Sequence, residues 1–520
     1  MRIGIDVGGT HTDAVLLDGE ELLATTKALT SADVTTGILN ALEAVLADSG
    51  VAEVDIDAVM LGTTQFTNAV VERREMSEVA AIRIGLPSGE GVPPAIGWPE
   101  DIAAALGGHS YMLAGGTLYD GQPLADLDDR EVDRVVQDIR QKGLSAVAIT
   151  AAFSPMNAEP ERQVAERIRQ AIPQARITES NRMGRIGLLE RENAALLNAS
   201  LLEFAERVVD SFRTAFKARG LRARFFVSQN DGTLMDAGFV GEYPALTFAS
   251  GPTNSLRGAS RLTGLNDAIV VDIGGTTSDI GVLQGGFPRE SNVVIDVGGV
   301  RTNFRMPDIL AVGLGGGSVV ENEGRDVGPR SVGHRLVAEG LVFGGNTLTA
   351  TDIIVADGAA TIGDPTRVAD LDPAIVATAT ATMQELLEQG IDRMRPGDDP
   401  MPVILVGGGA VLANRKLRNA SVMHCPENAG VANAIGAAIA QIGGEAERLV
   451  SYQETPRDEA LRRVGDEARA LATTAGADPA SLRIADVEET SVSYMAEGTT
   501  RIRVKAVGDI AGLTKGATKP

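Results

Sequence analysis

Two short segments of this 520-residue chain carry one chemistry-bearing pattern, Asp6-Val7-Gly8-Gly9-Thr10 and Asp272-Ile273-Gly274-Gly275-Thr276. A second aspartate follows each threonine three residues later, Asp13 in the first copy and Asp279 in the second. A turn that closely approaches a polyphosphate needs glycine, because a Cβ would hold its N–H groups away from the anion. The threonine adds a hydroxyl donor. A carboxylate ending the preceding strand can orient Mg²⁺ through water or accept a proton. Aligned from Asp6 to Leu17 and from Asp272 to Leu283, the copies share Asp, Gly, Gly, Thr, Asp and the last Leu. That agreement is read as a duplication.

Gly8, Gly9, Thr10, Thr12 and Asp13, with Gly274, Gly275, Thr276, Thr277 and Asp279, are therefore expected to grip the phosphates of ATP from two sides. Asp6 and Asp272 are the candidate catalytic groups and the candidate Mg²⁺ positions, possibly through water. Gly407, Gly408 and Gly409 lie between an apolar strand pattern and a helical one, where a glycine turn can pass over a purine or reach an α-phosphate. Thr63, Thr64 and Asn68 open a helix at the ligand edge of the first unit. They are candidate substrate contacts, with helix capping as the alternative. Glu190, Arg191 and Glu192 read by default as a solvated charge run on a helix.

The elements that must position these groups alternate as in an α/β protein. Strand patterns at 2–6, 12–17 and 21–26 precede a helix capped at Asp33, a strand at 58–61 and a helix after Thr64. Strands at 79–84 and 146–150 alternate with helices at 129–142 and 159–171. A long helix over 188–218 leads to strands at 224–228 and 268–272, where the opening pattern returns. A strand at 403–406 precedes the three glycines, a helix is expected at 413–419, a strand ends at Cys425, and a helix spans 430–442. An acidic helix and strands at 481–489 and 499–507 follow, and the tail 512–520 is expected to be disordered. Two βββαβα units facing one another across a cleft are the expected architecture.

Composition narrows the function. Sixty glycines in short runs suit tight turns, and aromatics at 3% leave the core to Val, Ile, Leu and Ala. A net charge of −23 argues against nucleic-acid and anionic-membrane partners. Cys425 is the sole cysteine and the histidines stand apart at 11, 109, 334 and 424, so neither a disulfide nor a Cys/His metal set is expected. One cysteine per chain also argues against the four thiolates of an iron–sulfur activator. The opening residues pass directly into a strand pattern and no apolar run reaches 18 residues, so a cytoplasmic protein is expected.

The segments IGIDVGGTHTDAVLLD, GTTQFTNAVVERR, ERENAALLNASL, FASGPTNS, VVDIGGTTSDIGVL, GLGGGSVV, ILVGGGAVLANRKL and PENAGVANAIGAA occur in that order. Together they resemble the hydantoinase A/5-oxoprolinase family, within the actin, Hsp70 and sugar-kinase superfamily. The resemblance implies a duplicated ribonuclease H-like, actin-like ATPase fold of two lobes, at 1–185 and 186–450, with a small C-terminal α/β appendage at 451–520. It adds Gly315, Gly316, Gly317 and Ser318 to the nucleotide-binding residues.

The activity implied is ATP-dependent opening of a cyclic amide such as a hydantoin or 5-oxoproline. The alternatives are the nucleotide subunit of an acetone- or acetophenone-carboxylase-like complex acting on a ketone, and a non-enzymatic ATP-dependent switch. Homo-oligomers and a hydantoinase B-like second subunit are the partners implied. His11 stands where the family usually has Phe, so its imidazole either packs or faces substrate. Ser228-Gln229-Asn230-Asp231-Gly232 and Thr253-Asn254-Ser255 also depart from the family pattern.

Overall fold

The computed structural model describes residues 1–513 except 9–10, 30–33, 120, 185, 292–293, 305 and 493–498. Gly9, Thr10, the expected cap Asp33 and most of the tail lie outside the described residues.

Alternation along the first strand, Arg2–Val7, sets the architecture. Ile3, Ile5 and Val7 fall on one face and are buried with Ile38, Leu42 and Val45 of the helix Val34–Ser49. Gly4 and Asp6 fall on the other face. A Cβ at Gly4 would sit 2.2 Å from the Ala434 carbonyl oxygen, so the helix Ala432–Ile439 lies directly on the strand. The second copy repeats this. In the strand Ala268–Ile273, residues Ile269, Val271 and Ile273 enter one core, while Val270 packs with Leu256 and Ala259 of the helix Ser250–Thr263. Both aspartates therefore point toward a pair of helices held between two sheets.

Those helices cross without intervening side chains. A Cβ at Gly258 would meet the Ala432 carbonyl oxygen at 1.8 Å, and one at Gly436 would meet the Asn254 carbonyl oxygen at 1.8 Å. Glycine is required at both positions by backbone contact.

The first sheet has nine strands in the order Arg483–Ser491, Thr499–Gly508, Gln441–Ser451, Thr233–Asp236, Arg224–Ser228, Ala58–Thr63, Arg2–Val7, His11–Asp18 and Glu21–Leu29. The second runs Phe287–Pro288, Ser278–Gln284, Ala268–Ile273, Met401–Val406 and Ala420–His424, with Ile309–Val312 also on Ser278–Gln284. In each, the aspartate strand is antiparallel to its hairpin partner and parallel to a later strand, Ala58–Thr63 or Met401–Val406. A separate four-stranded parallel sheet, His109–Ala114, Val79–Leu86, Ala146–Ala151 and Arg176–Glu179, has its own core. The C-terminal helix Arg457–Thr474 and the strands after it extend the outer side of the first sheet.

Three expectations are corrected. After the three glycines there is a short 3₁₀ turn, Ala410–Leu412, and no α-helix over 413–419. The helix expected over 430–442 is Ala432–Ile439, and from Gln441 the chain is already strand. The charge run at 190–192 is not solvated. Arg191 is 0% and Glu192 3% exposed, with Glu192 clasping the equally buried Arg83 at Nε and Nη2. The helix Leu188–Ala218 runs through the core, and at 31 residues its mixed surface gives no single solvent face from which to read burial.

Candidate active-site cleft

The two hairpin turns are built alike. The Gly8 N–H donates to the His11 carbonyl at 3.0 Å, and the Gly274 N–H donates to the Thr277 carbonyl at 2.9 Å. Register is also shared, with Asp6 opposite Asp13 and Asp272 opposite Asp279. Each strand-end aspartate has a glycine pressed on its Oδ1 from the parallel neighbour. A Cβ at Gly62 would lie 2.1 Å from Asp6 Oδ1, and one at Gly407 would lie 2.3 Å from Asp272 Oδ1.

Both turns face one cleft of about 420 Å³. Its polar part is lined by Gly8, His11, Asp13, Lys27, Asp272, Gly274, Gly275 and Asn433. Leu336, Val337, Phe343, Ile354 and Val411 supply its apolar lining, and Gly407, Gly408 and Gly409 also border it. An apolar pocket beside two glycine turns is a suitable shape for a base and a phosphate chain.

The helix pair equips the aspartates. Asn254 donates to Asp6 Oδ1 at 3.3 Å, Asn433 donates to Asp6 Oδ2 at 3.0 Å, and Ser255 donates to Asp272 Oδ2. Burial lifts the Asp6 carboxyl to about 6, against the pull of the Asn254 amide, with Asp13 and Asp272 adding repulsion. Burial likewise raises Asp272, which Ser255 partly offsets. Asp279 is pushed up to about 7 by burial and by Asp272. Lys27 Nζ stands 2.6 Å from Asp13 Oδ1, and burial together with Lys27 lowers His11.

The residues expected from sequence separate into several groups. Gly8, His11, Asp13, Asp272, Gly274, Gly275, Gly316, Gly407, Gly408 and Gly409 line the cleft. Asp6 is 4% exposed and meets the cleft through Asn433. Thr12 is buried, while Thr276 and Thr277 are exposed beside the second turn. The stretch Gly315, Gly316, Gly317, Ser318 braces that turn from behind. The N–H groups of Gly316 and Gly317 donate to the carbonyls of Gly274 and Gly275, and Ser318 Oγ accepts from the Gly315 N–H. Thr63 is buried and Thr63 Oγ1 accepts from the Gln65 N–H, Thr64 is half-buried, and Asn68 is exposed. None of these three lines the cleft.

Sequence reading missed Lys27, Asn254, Ser255 and Asn433. Lys27 is the cross-strand partner of Asp13 only through a register shift between Leu16 and Leu17, which left no signal in the sequence. For the others a usable signal was present, since each is a polar residue three or four positions before a helix glycine, Gly258 or Gly436.

Among the described residues no group of three or more His, Cys, Asp or Glu side chains could hold a metal by itself. Asp6 has both oxygens engaged by amides, whereas Asp272 accepts one hydroxyl and lines the cleft. This set suits a Mg²⁺ ion that keeps most of its waters and takes phosphate oxygens.

Residues 2–172 match the family described as the hydantoinase/oxoprolinase N-terminal region, and residues 191–361 match that described as hydantoinase/oxoprolinase. The chain is 28% identical to the acetophenone carboxylase gamma subunit of Aromatoleum aromaticum, covering 68% of this chain and 53% of that one. It is 26% identical to the caprolactamase subunit alpha of Pseudomonas jessenii, covering 69% and 54%. The chain thus spans about half the length of these curated relatives. Among solved structures, the ATP-dependent caprolactamase of Pseudomonas jessenii aligns with a TM-score of 0.77 at 20% identity, over 98% of this chain and 87% of that one. A nucleotide-free acetone carboxylase aligns with a TM-score of 0.65 at 18% identity, over 98% and 88%. These likenesses agree with the expected fold. No helix of the described residues is long and apolar enough to cross a membrane.

Proposed function

This chain belongs to the hydantoinase/oxoprolinase family, and from that premise we propose that it binds ATP with Mg²⁺ in the 420 Å³ cleft and uses it to open a cyclic amide. The observation that carries the reading is the pair of like-built turns, each ending a strand in a helix-supported aspartate, lining one cleft that also has an apolar end.

An unstrained amide resists water because resonance places its reactivity on oxygen rather than carbon. ATP would give its terminal phosphoryl group to this oxygen with loss of ADP. Water could then add at carbon, the ring C–N bond break as nitrogen takes a proton, and a second water release phosphate from the opened chain. The protein is then asked mainly for positioning and charge neutralisation. Gly8, Gly274 and Gly275 present backbone close to the phosphates, and Lys27 offsets their charge. Asp272 orients the hydrated Mg²⁺, while Asp6, held by Asn254 and Asn433, fixes the opposite wall. Gly407, Gly408 and Gly409 would pass beside the base, and His11, which also lines the cleft, would face the ring substrate. A hydantoinase B-like second subunit and self-association belong to the same proposal.

The acetophenone carboxylase relative supports a second reading, in which the same cleft serves a carboxylase complex. Phosphate release from ATP should rise with lactams, hydantoins or 5-oxoproline. A rise only with bicarbonate and a ketone would establish the second reading instead. Failure of the purified chain, with any partner subunit supplied, to bind ATP–Mg²⁺ would refute both.

A further inference from the structure

The end of the first sheet away from the cleft carries two unlike features side by side. Asp6 stands level with Gly62, whereas Ala58, at the start of the same strand as Gly62, stands level with Arg224. At Arg224 there is a hollow of about 570 Å³, where the helix Leu188–Ala218 ends and the strand Arg224–Ser228 begins. Phe216 and Phe225 give it apolar lining, and Arg213, Lys217, Arg222 and Arg224 supply four exposed cations. Lys217, Arg222 and Arg224 form no ion pair among the described residues, and Arg213 meets only Asp210, at 3.6 Å. The one carboxylate in the lining, Asp236, already accepts from the N–H groups of Gly238 and Phe239. In a chain of net charge −23 this is an uncompensated positive patch.

The second feature is its complement. The Arg224 N–H donates to the Asp57 carbonyl at 2.9 Å, so the turn Glu53–Asp55, two residues before Asp57, lies next to the hollow. Val54 is 77% exposed. Glu53 and Asp55 on either side of it are also exposed, and neither forms an ion pair among the described residues. An apolar tip between two carboxylates matches an apolar hollow among cations in both shape class and charge.

A surface that carries a feature and its complement side by side is self-complementary under a two-fold axis. We infer that this end of the sheet is a docking surface for a second copy of this chain, each Glu53–Asp55 turn seated in the other's hollow. This gives the self-association of the proposed function, on which it rests, a definite surface, and it leaves the nucleotide cleft at the other end of the strands.

Sedimentation of the full chain in low and high salt tests the surface. The parent should associate, and less so in high salt, because exposed charge pairs are screened. Lys217→Glu with Arg222→Glu should lower the association constant at least about a hundredfold, since like charges then face one another. Glu53→Lys with Asp55→Lys should do the same. Mixing the two variants restores opposite charges at both contacts of the two-fold, so the mixture should associate as the parent does, a rescue that misfolded variants would not show. A monomeric parent, a variant that associates like the parent, or a mixture that stays dissociated overturns the inference. A fluorescent ATP analogue reports on the cleft in the same preparations. Association without nucleotide binding refutes only the ATP reading, and nucleotide binding by a monomeric parent refutes only this surface.

Discussion

The two hairpins share their turn and differ at the strand beside it. In the first copy the third strand, Glu21–Leu29, places Lys27 opposite Asp13, and the two form an ion pair at 2.6 Å. In the second copy the equivalent strand is reduced to Phe287–Pro288, and Ile309–Val312 sets Ala311 opposite Asp279. Among the described residues no cation pairs with Asp279, and its carboxyl is pushed up to about 7. The two copies thus share the turn and differ in the flanking strand. The cleft is electrically lopsided as a result, with its lysine on one wall.

The sharpest break is at the shared aspartates. Asp272→Asn should lower ATP turnover about a thousandfold, ~4 kcal/mol of transition-state stabilisation, with the circular dichroism spectrum unchanged. Asp6→Asn should fall in the same direction, and near-parent rates in either variant would remove that residue from the chemistry.

The difference between the copies predicts opposite stability effects. Lys27→Met strands a buried carboxylate and should cost about 1–2 kcal/mol, less than a fully buried pair because Lys27 is 37% exposed. Asp279→Asn should be neutral or stabilising at pH 8 in urea unfolding.

The pH dependence sharpens the same contrast. Asp279 rises from 3.8 to about 7 on folding, so the native state holds the extra proton between those values. Its contribution to stability is therefore most favourable below about pH 4, falls as the pH rises through the window, and is a net cost above 7. Asp279→Asn should flatten the stability curve there, and an unchanged slope would mean that the carboxyl is already ionised. The smallest effect is expected at the turn itself. His11→Phe, which makes no charge change at neutral pH because burial and Lys27 keep the ring neutral, should alter the KM for ATP by less than about threefold.

Much of this was legible in the sequence because the informative signals are local. Asp-x-Gly-Gly-Thr declares a turn, and the alternation Ile3, Ile5, Val7 declares a buried strand face. The helix Leu188–Ala218 has the bounds that its sequence predicted. What was not legible depends on distant segments meeting. Arg191 and Glu192 look like surface charge until Arg83, more than a hundred residues earlier, is brought against Glu192. The bracing role of the glycines from 315 to 317 likewise requires knowing that their neighbour is a turn 40 residues back. Counting register across the Asp18-Gly19 turn would set Thr26 opposite Asp13, and it is the irregularity between Leu16 and Leu17 that brings Lys27 there instead.

The helix crossing at Gly258 and Gly436 leaves no tolerance at the centre of the molecule. With carbonyl oxygens sitting where two Cβ atoms would be, even one methyl group at either glycine would wedge the helices apart. Because Asn254 and Asn433 ride on those two helices and both grip Asp6, while Ser255 beside Asn254 holds Asp272, such a wedge would be felt at both aspartates at once.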